Sequence, residues 1–107
     1  MSDETKENPT YFAIIPANVR YDNRLTMGAK MMFGEITCLS NKEGYCWASN
    51  NYFAKLYQVH TNTIQNWIHT LSDCEYIRLE TTQHQVGRTR KIYMIPQSQP
   101  FVIAQSQ

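Results

Sequence analysis

Large apolar residues recur at helical spacing in three stretches of the chain and at alternating spacing near its end. From Leu25 to Leu39 they fall at Leu25, Met32, Phe33, Ile36 and Leu39, with Ala29 filling the gap, the three-four spacing of one helix face. Thr26 stands just before Met27, where a side-chain oxygen can accept from a free backbone N–H of the first turn. Gly28 and Gly34 each cost this helix about 1 kcal/mol relative to Ala, which fits a place where another element packs close. The helix should stop within Ser40-Asn-Lys-Glu-Gly44, where Asn and Gly supply turn chemistry.

Before this helix, Tyr11-Phe-Ala-Ile-Ile15 reads as a strand or an extended lead-in ended by Pro16, which has no N–H to give a ladder. After it, Tyr45-Cys-Trp-Ala48 is short enough only for a brief strand or a packed extended segment. Ser49 then offers a cap for a helix over Asn50–Tyr57. Gln58-Val-His60 interrupts the pattern, and Thr61–Leu71 restarts it with Ile64, Trp67, Ile68 and Leu71 on one side. Two helices joined by about three residues form a helix-turn-helix candidate. Tyr76, Ile77 and Leu79, a polar stretch over Thr81–Arg88, and then Arg90–Ile95 read as a β-hairpin with its tip near Gly87. The acidic residues 1–10 read as a disordered arm, and the Gln/Ser/Pro-rich residues 96–107 as a linker or tail.

The length of 107 residues fits one domain, placed at 11–95, and a mean hydropathy of −0.51 leaves no apolar run of about 18 residues to cross a membrane. The N-terminus lacks the apolar segment of a secretory signal, so a cytoplasmic setting, in a bacterial host cell by the resemblance below, is expected. Cys38, Cys46 and Cys74 are odd in number and include no C-x-x-C pair, which argues for free thiols and against a metal site. No nucleophile, P-loop or H-E-x-x-H motif is present, so no catalytic residue and no cofactor are expected, and the chain reads as a non-enzyme. The net charge of +1 hides an asymmetry: Asp3, Glu4 and Glu7 outweigh Lys6 in the arm, leaving the rest of the chain with nine basic and six acidic residues. A mildly basic domain is compatible with a nucleic-acid partner without requiring one.

On a helical wheel the apolar set of the second motif helix leaves Asn62, Gln65, Asn66 and His69 on the opposite face, with Thr61 at its leading end. Side-chain amides there suit a DNA major groove, because Asn and Gln can pair bidentately with adenine N6 and N7; a merely polar exposed face is the alternative. No Lys or Arg occurs between Lys55 and Arg78. Phosphate contacts, which carry much of DNA affinity, would therefore fall to Lys55 and to His84, Arg88, Arg90 and Lys91 of the hairpin, unless those charges only protect a hairpin edge. His69 would either reach the groove or simply sit well at a helix C-terminus. Trp47, Trp67, Tyr11, Phe12, Phe33 and Phe53 are expected in the core rather than as a base-stacking platform, and Met27, Met31 and Met32 as core filling.

A helix, a helix-turn-helix and a hairpin in that order make an α+β winged helix-turn-helix, a three-helix core with a C-terminal β-hairpin wing. Three pieces of sequence carry a resemblance. They are Arg20-Tyr-Asp-Asn-Arg-Leu25 ahead of Gly28-Ala-Lys30, the connector Asn41-Lys-Glu-Gly-Tyr-Cys-Trp-Ala-Ser49, and Tyr76-Ile-Arg78 opening the wing. Over residues 11–95 the chain resembles the N-terminal winged-helix domain of phage and plasmid replication initiators, the replisome organisers of low-GC Gram-positive bacteria. That family commonly has a small capping hydroxyl where this chain has His60, and basic residues where it has Thr61 and Asn62. The resemblance implies origin recognition on double-stranded DNA, a homo-oligomeric full-length protein, and a helicase or helicase loader as a further partner. A transcriptional regulator of the same fold and a winged-helix protein-interaction module remain the alternatives.

Overall fold

A computed structural model describes residues 12–40 and 44–96; the arm over residues 1–10, Tyr11 and most of the tail lie outside them. Among the described residues, four helices and a three-stranded sheet form an α+β winged helix: α1 (Ala17–Arg20), α2 (Met27–Ser40), β1 (Tyr45–Cys46), α3 (Asn50–Tyr57), α4 (Thr61–Asp73), β2 (Ile77–His84) and β3 (Gly87–Met94). The strands are antiparallel in the order β1-β3-β2.

The capping chemistry lies where the sequence places it. Thr26 Oγ1 accepts from the Ala29 amide at 3.1 Å, and Ser49 Oγ from the Tyr52 amide at 3.1 Å. His60 substitutes for a capping hydroxyl, its Nδ1 accepting from the Asn62 amide at 3.0 Å. Gln58 provides the left-handed turn between α3 and α4 with φ of 59°.

Residues 12–16 form no strand, which leaves the extended lead-in of the two alternatives, and Pro16 starts a helix instead of only ending a ladder. Its carbonyl accepts from Arg20 at 2.9 Å, and the resulting turn drives Val19 fully into the core. The hairpin is also longer than the polar stretch suggested. Thr81–His84 pair in register with Arg90–Gly87, leaving Gln85 and Val86 as the turn, because a ladder needs backbone groups more than apolar side chains.

The core is built from Met32, Phe33 and Ile36 of α2, Phe53 of α3, Ile64, Ile68 and Leu71 of α4, and Ile77 and Ile92 at the base of the hairpin. Both α2 glycines mark close approaches. A methyl group at Gly28 would overlap the Trp67 indole, and one at Gly34 would lie 3.0 Å from Ile15 and 3.2 Å from Ala13. Trp67, Phe33 and Phe53 join the core as expected. Trp47 (62% exposed) and Phe12 (73%) do not, and of the three methionines only Met32 is buried.

The Arg20–Leu25 lead-in has a structural purpose. Arg24 grips Asp22 with both ends of its guanidinium, at 3.0 and 2.7 Å, and the Tyr76 hydroxyl donates to the same carboxylate at 2.7 Å. These bonds, the Arg24 pair above all, hold the Asp22 carboxyl well below the usual carboxylate range. Burial, and then the Asp22 contact, push the Tyr76 phenol up. The start of the hairpin is thereby tied to the chain ahead of α2.

Candidate nucleic-acid interface

Helix α4 turns Ile64, Ile68 and Leu71 inward, which obliges the opposite face to be solvent-facing. Asn62, Gln65, Asn66 and His69 are exposed there and Thr61 is half-buried. The backbone beneath them is held firmly: His60 caps its start, and Thr70 Oγ1 donates to the Asn66 carbonyl at 2.9 Å. His69 Nε2 lies 3.3 Å from Asp73 Oδ2, one turn on, with both side chains exposed. Its placement therefore combines an outward position with a partner at the helix end.

Strand alternation gives the wing two faces. Leu79 and Thr81 of β2 and Arg88 and Arg90 of β3 face α4 across a cleft of about 640 Å³, whose other wall carries Gln65 and His69. The second face of the sheet holds Lys91, whose ammonium lies 4.7 Å from the centre of the Tyr45 ring, and Arg78, 4.3 Å from that of Tyr93. Exposed Trp47 meets Tyr45 edge-on at 6.4 Å on this side.

The residues singled out for phosphate contact are thus divided. Arg88 is exposed in the cleft. Arg90 lies in the same cleft but is half-buried, donating from Nη2 to the Ala48 carbonyl at 2.8 Å and from Nη1 to Asn50 Oδ1 at 2.9 Å. Burial pushes its pKa down. Lys91 faces away from the cleft, while exposed His84 next to the turn and exposed Lys55 in the last turn of α3 are outside its lining. Thr61, Asn62 and Asn66 of α4 also lie outside its lining.

Asn50 and Thr81 are cleft residues that the sequence does not single out. Asn50 reads only as the first residue of a capped helix. Thr81 reads as loop until the hairpin register is known, after which its alternation with Leu79 assigns the face. Among the described residues no group of three His, Cys, Asp or Glu side chains is placed to hold a metal ion, and no helix is long and apolar enough to cross a membrane.

A family model described as a helix-turn-helix domain matches residues 23–77. That span runs from the chain ahead of α2 through both motif helices to the first residue of β2, and the rest of the wing lies beyond it. Neither the curated proteins nor the solved structures give a match.

Proposed function

Because the chain belongs to the helix-turn-helix domain family, we propose that it binds double-stranded DNA by sequence, with α4 in a major groove and the wing against the flanking backbone. The observation that carries this reading is the row of exposed amides, Asn62, Gln65 and Asn66, on the α4 face opposite its buried residues. Amides can pair with base edges without a fixed charge, whereas a solvated helix face has no need of three of them at groove-facing positions. The role is placement, with no bond made or broken by this chain.

Within DNA binding, recognition of a phage or plasmid replication origin in the cytoplasm of a bacterial host is the specific reading. It is supported by the lead-in, connector and wing-opening sequences, the first of which closes on Tyr76 through Asp22. In that setting residues 11–95 are the DNA-binding unit. The full-length protein then gathers as a homo-oligomer on repeated sites and hands on to a helicase or its loader. A regulator of transcription would use the same surface on a different site.

Selection of duplexes from a random pool, followed by fluorescence anisotropy, tests the reading. Asn62→Ala, Gln65→Ala and Asn66→Ala should each weaken the selected duplex by about 1–3 kcal/mol and leave a scrambled duplex nearly unchanged. Equal losses on both duplexes would remove base readout by α4. A second reading, a protein-interaction module, is favoured by one feature: α4 carries no Lys or Arg. Failure to enrich any duplex at low salt would decide for it.

A further inference from the structure

The outer half of the wing projects past its support. Among the described residues β1 pairs with β3 only at Tyr93 and Ile92, whereas the β2–β3 ladder continues to His84 and Gly87. Every residue of β2 after Ile77 is exposed. A two-stranded ribbon without a packed face is weak and free to rock. Its tip lies about 10 Å beyond Arg90 at about 3.3 Å per residue, so a rocking of about 20° there would carry the tip about 3 Å. Hydrogen bonds to base edges and phosphates do not survive displacements of that size.

Arg90 crosses back from the ribbon to the start of α3. It stands two positions before Ile92, toward the tip on the same face of β3, and its guanidinium fork is divided between the Ala48 carbonyl and Asn50 Oδ1. Both acceptors belong to the chain entering α3, which the Ser49 cap fixes. The guanidinium thereby joins the projecting ribbon to the helix-turn-helix body, and a cation already divided between two internal acceptors is poorly placed to follow a phosphate.

We propose that Arg90 is a positioning residue: it anchors the wing to the start of α3, sets the separation of wing and α4 across the cleft, and leaves Arg88 as the cleft arginine that meets phosphate. The anchoring stands on the geometry alone. Its consequence for specificity rests on the DNA-binding reading.

The test uses the full chain as wild type, Arg88→Ala, Arg90→Lys and Asn50→Ala, with a duplex selected from a random pool and a scrambled duplex of equal composition. Lys keeps the charge at position 90 but cannot span both acceptors, so it separates anchoring from simple charge. In the protein without DNA, nitrogen-15 relaxation should show the amides of Thr82–Thr89 more mobile in both Arg90→Lys and Asn50→Ala and unchanged in Arg88→Ala. With DNA, Arg90→Lys should lower the ratio of selected to scrambled affinity about tenfold, the worth of one misaligned base contact. Arg88→Ala should instead weaken both duplexes and reduce the slope of log K against log salt by about one. An Arg90→Lys wing as ordered as the wild type, with an unchanged affinity ratio, overturns the proposal. If no duplex is enriched, the DNA-binding reading falls, and the relaxation data still decide the anchoring.

Discussion

Helix α4 and the wing meet across one cleft yet are held by opposite means. Helix α4 is fixed by burial: Ile64, Ile68 and Leu71 sit in the core, Trp67 packs onto Gly28, and His60 caps its first turn. The wing fully buries only Ile77 and Ile92 at its base and otherwise depends on backbone pairing and a few side-chain contacts: Arg90 to the start of α3, Lys91 over the Tyr45 ring, and Tyr76 to Asp22 where the hairpin begins. Non-directional burial over a whole face makes a rigid platform, while a few directional bonds make an element whose placement can be changed by one side chain. The two walls of one cleft therefore differ in stiffness.

Stability should respond most strongly to substitution in the core. Ile64→Ala should cost about 2–5 kcal/mol, the range for emptying a fully buried branched side chain. Val86→Ser at the 97% exposed turn should stay within about 0.5 kcal/mol. Urea titrations of both variants check the contrast; similar losses would mean that the wing tip is packed as firmly as α4.

Gly28→Ala is smaller and turns on a contest of signs. Helix propensity favours Ala by about 1 kcal/mol, whereas forcing a methyl group against the Trp67 indole costs about 1–3 kcal/mol. A net loss of stability is expected, with a changed tryptophan emission as α4 shifts from α2. A raised Tm would show that the indole moves aside without cost.

The effect at Asp22, which ties the base of the wing to the chain before α2, is of similar size and depends on pH. Its carboxyl is held below its unfolded value, so the stability it contributes is fully present above about pH 4 and is lost as the pH falls through the folded value. Asp22→Asn should lower stability at pH 7 by about 1–2 kcal/mol, given bonds to a charged group with an exposed arginine partner. The difference from wild type should shrink on acidification below pH 4. A constant difference from pH 7 to pH 2 would remove the ionised clamp.

Much of this fold is legible along the chain because its signals are local. Thr26 and Ser49 cap helices within three residues of themselves, the apolar spacing of α2 and α4 defines their buried faces, and the amide row of α4 follows as the complement of its core face. The short helix after Pro16 escapes such reading because four residues are too few to show a period. Trp47 escapes it because an aromatic residue between a brief strand and a cap carries no face of its own.

Local signals along the chain therefore dictate the order of the elements from α2 onward, the helix-turn-helix, and which side chains α4 presents to solvent. Each of these depends on interactions within a few residues or on a single periodicity. The tertiary structure alone decided the register of the hairpin, the division of Arg88 and Arg90 from Lys91 between two faces, and the anchoring of Arg90 to a carbonyl 42 residues away in the chain. A ladder shifted by one residue would exchange those faces. A guanidinium chooses its acceptors only where folding has already carried them within about 3 Å, and no spacing along the chain encodes that approach.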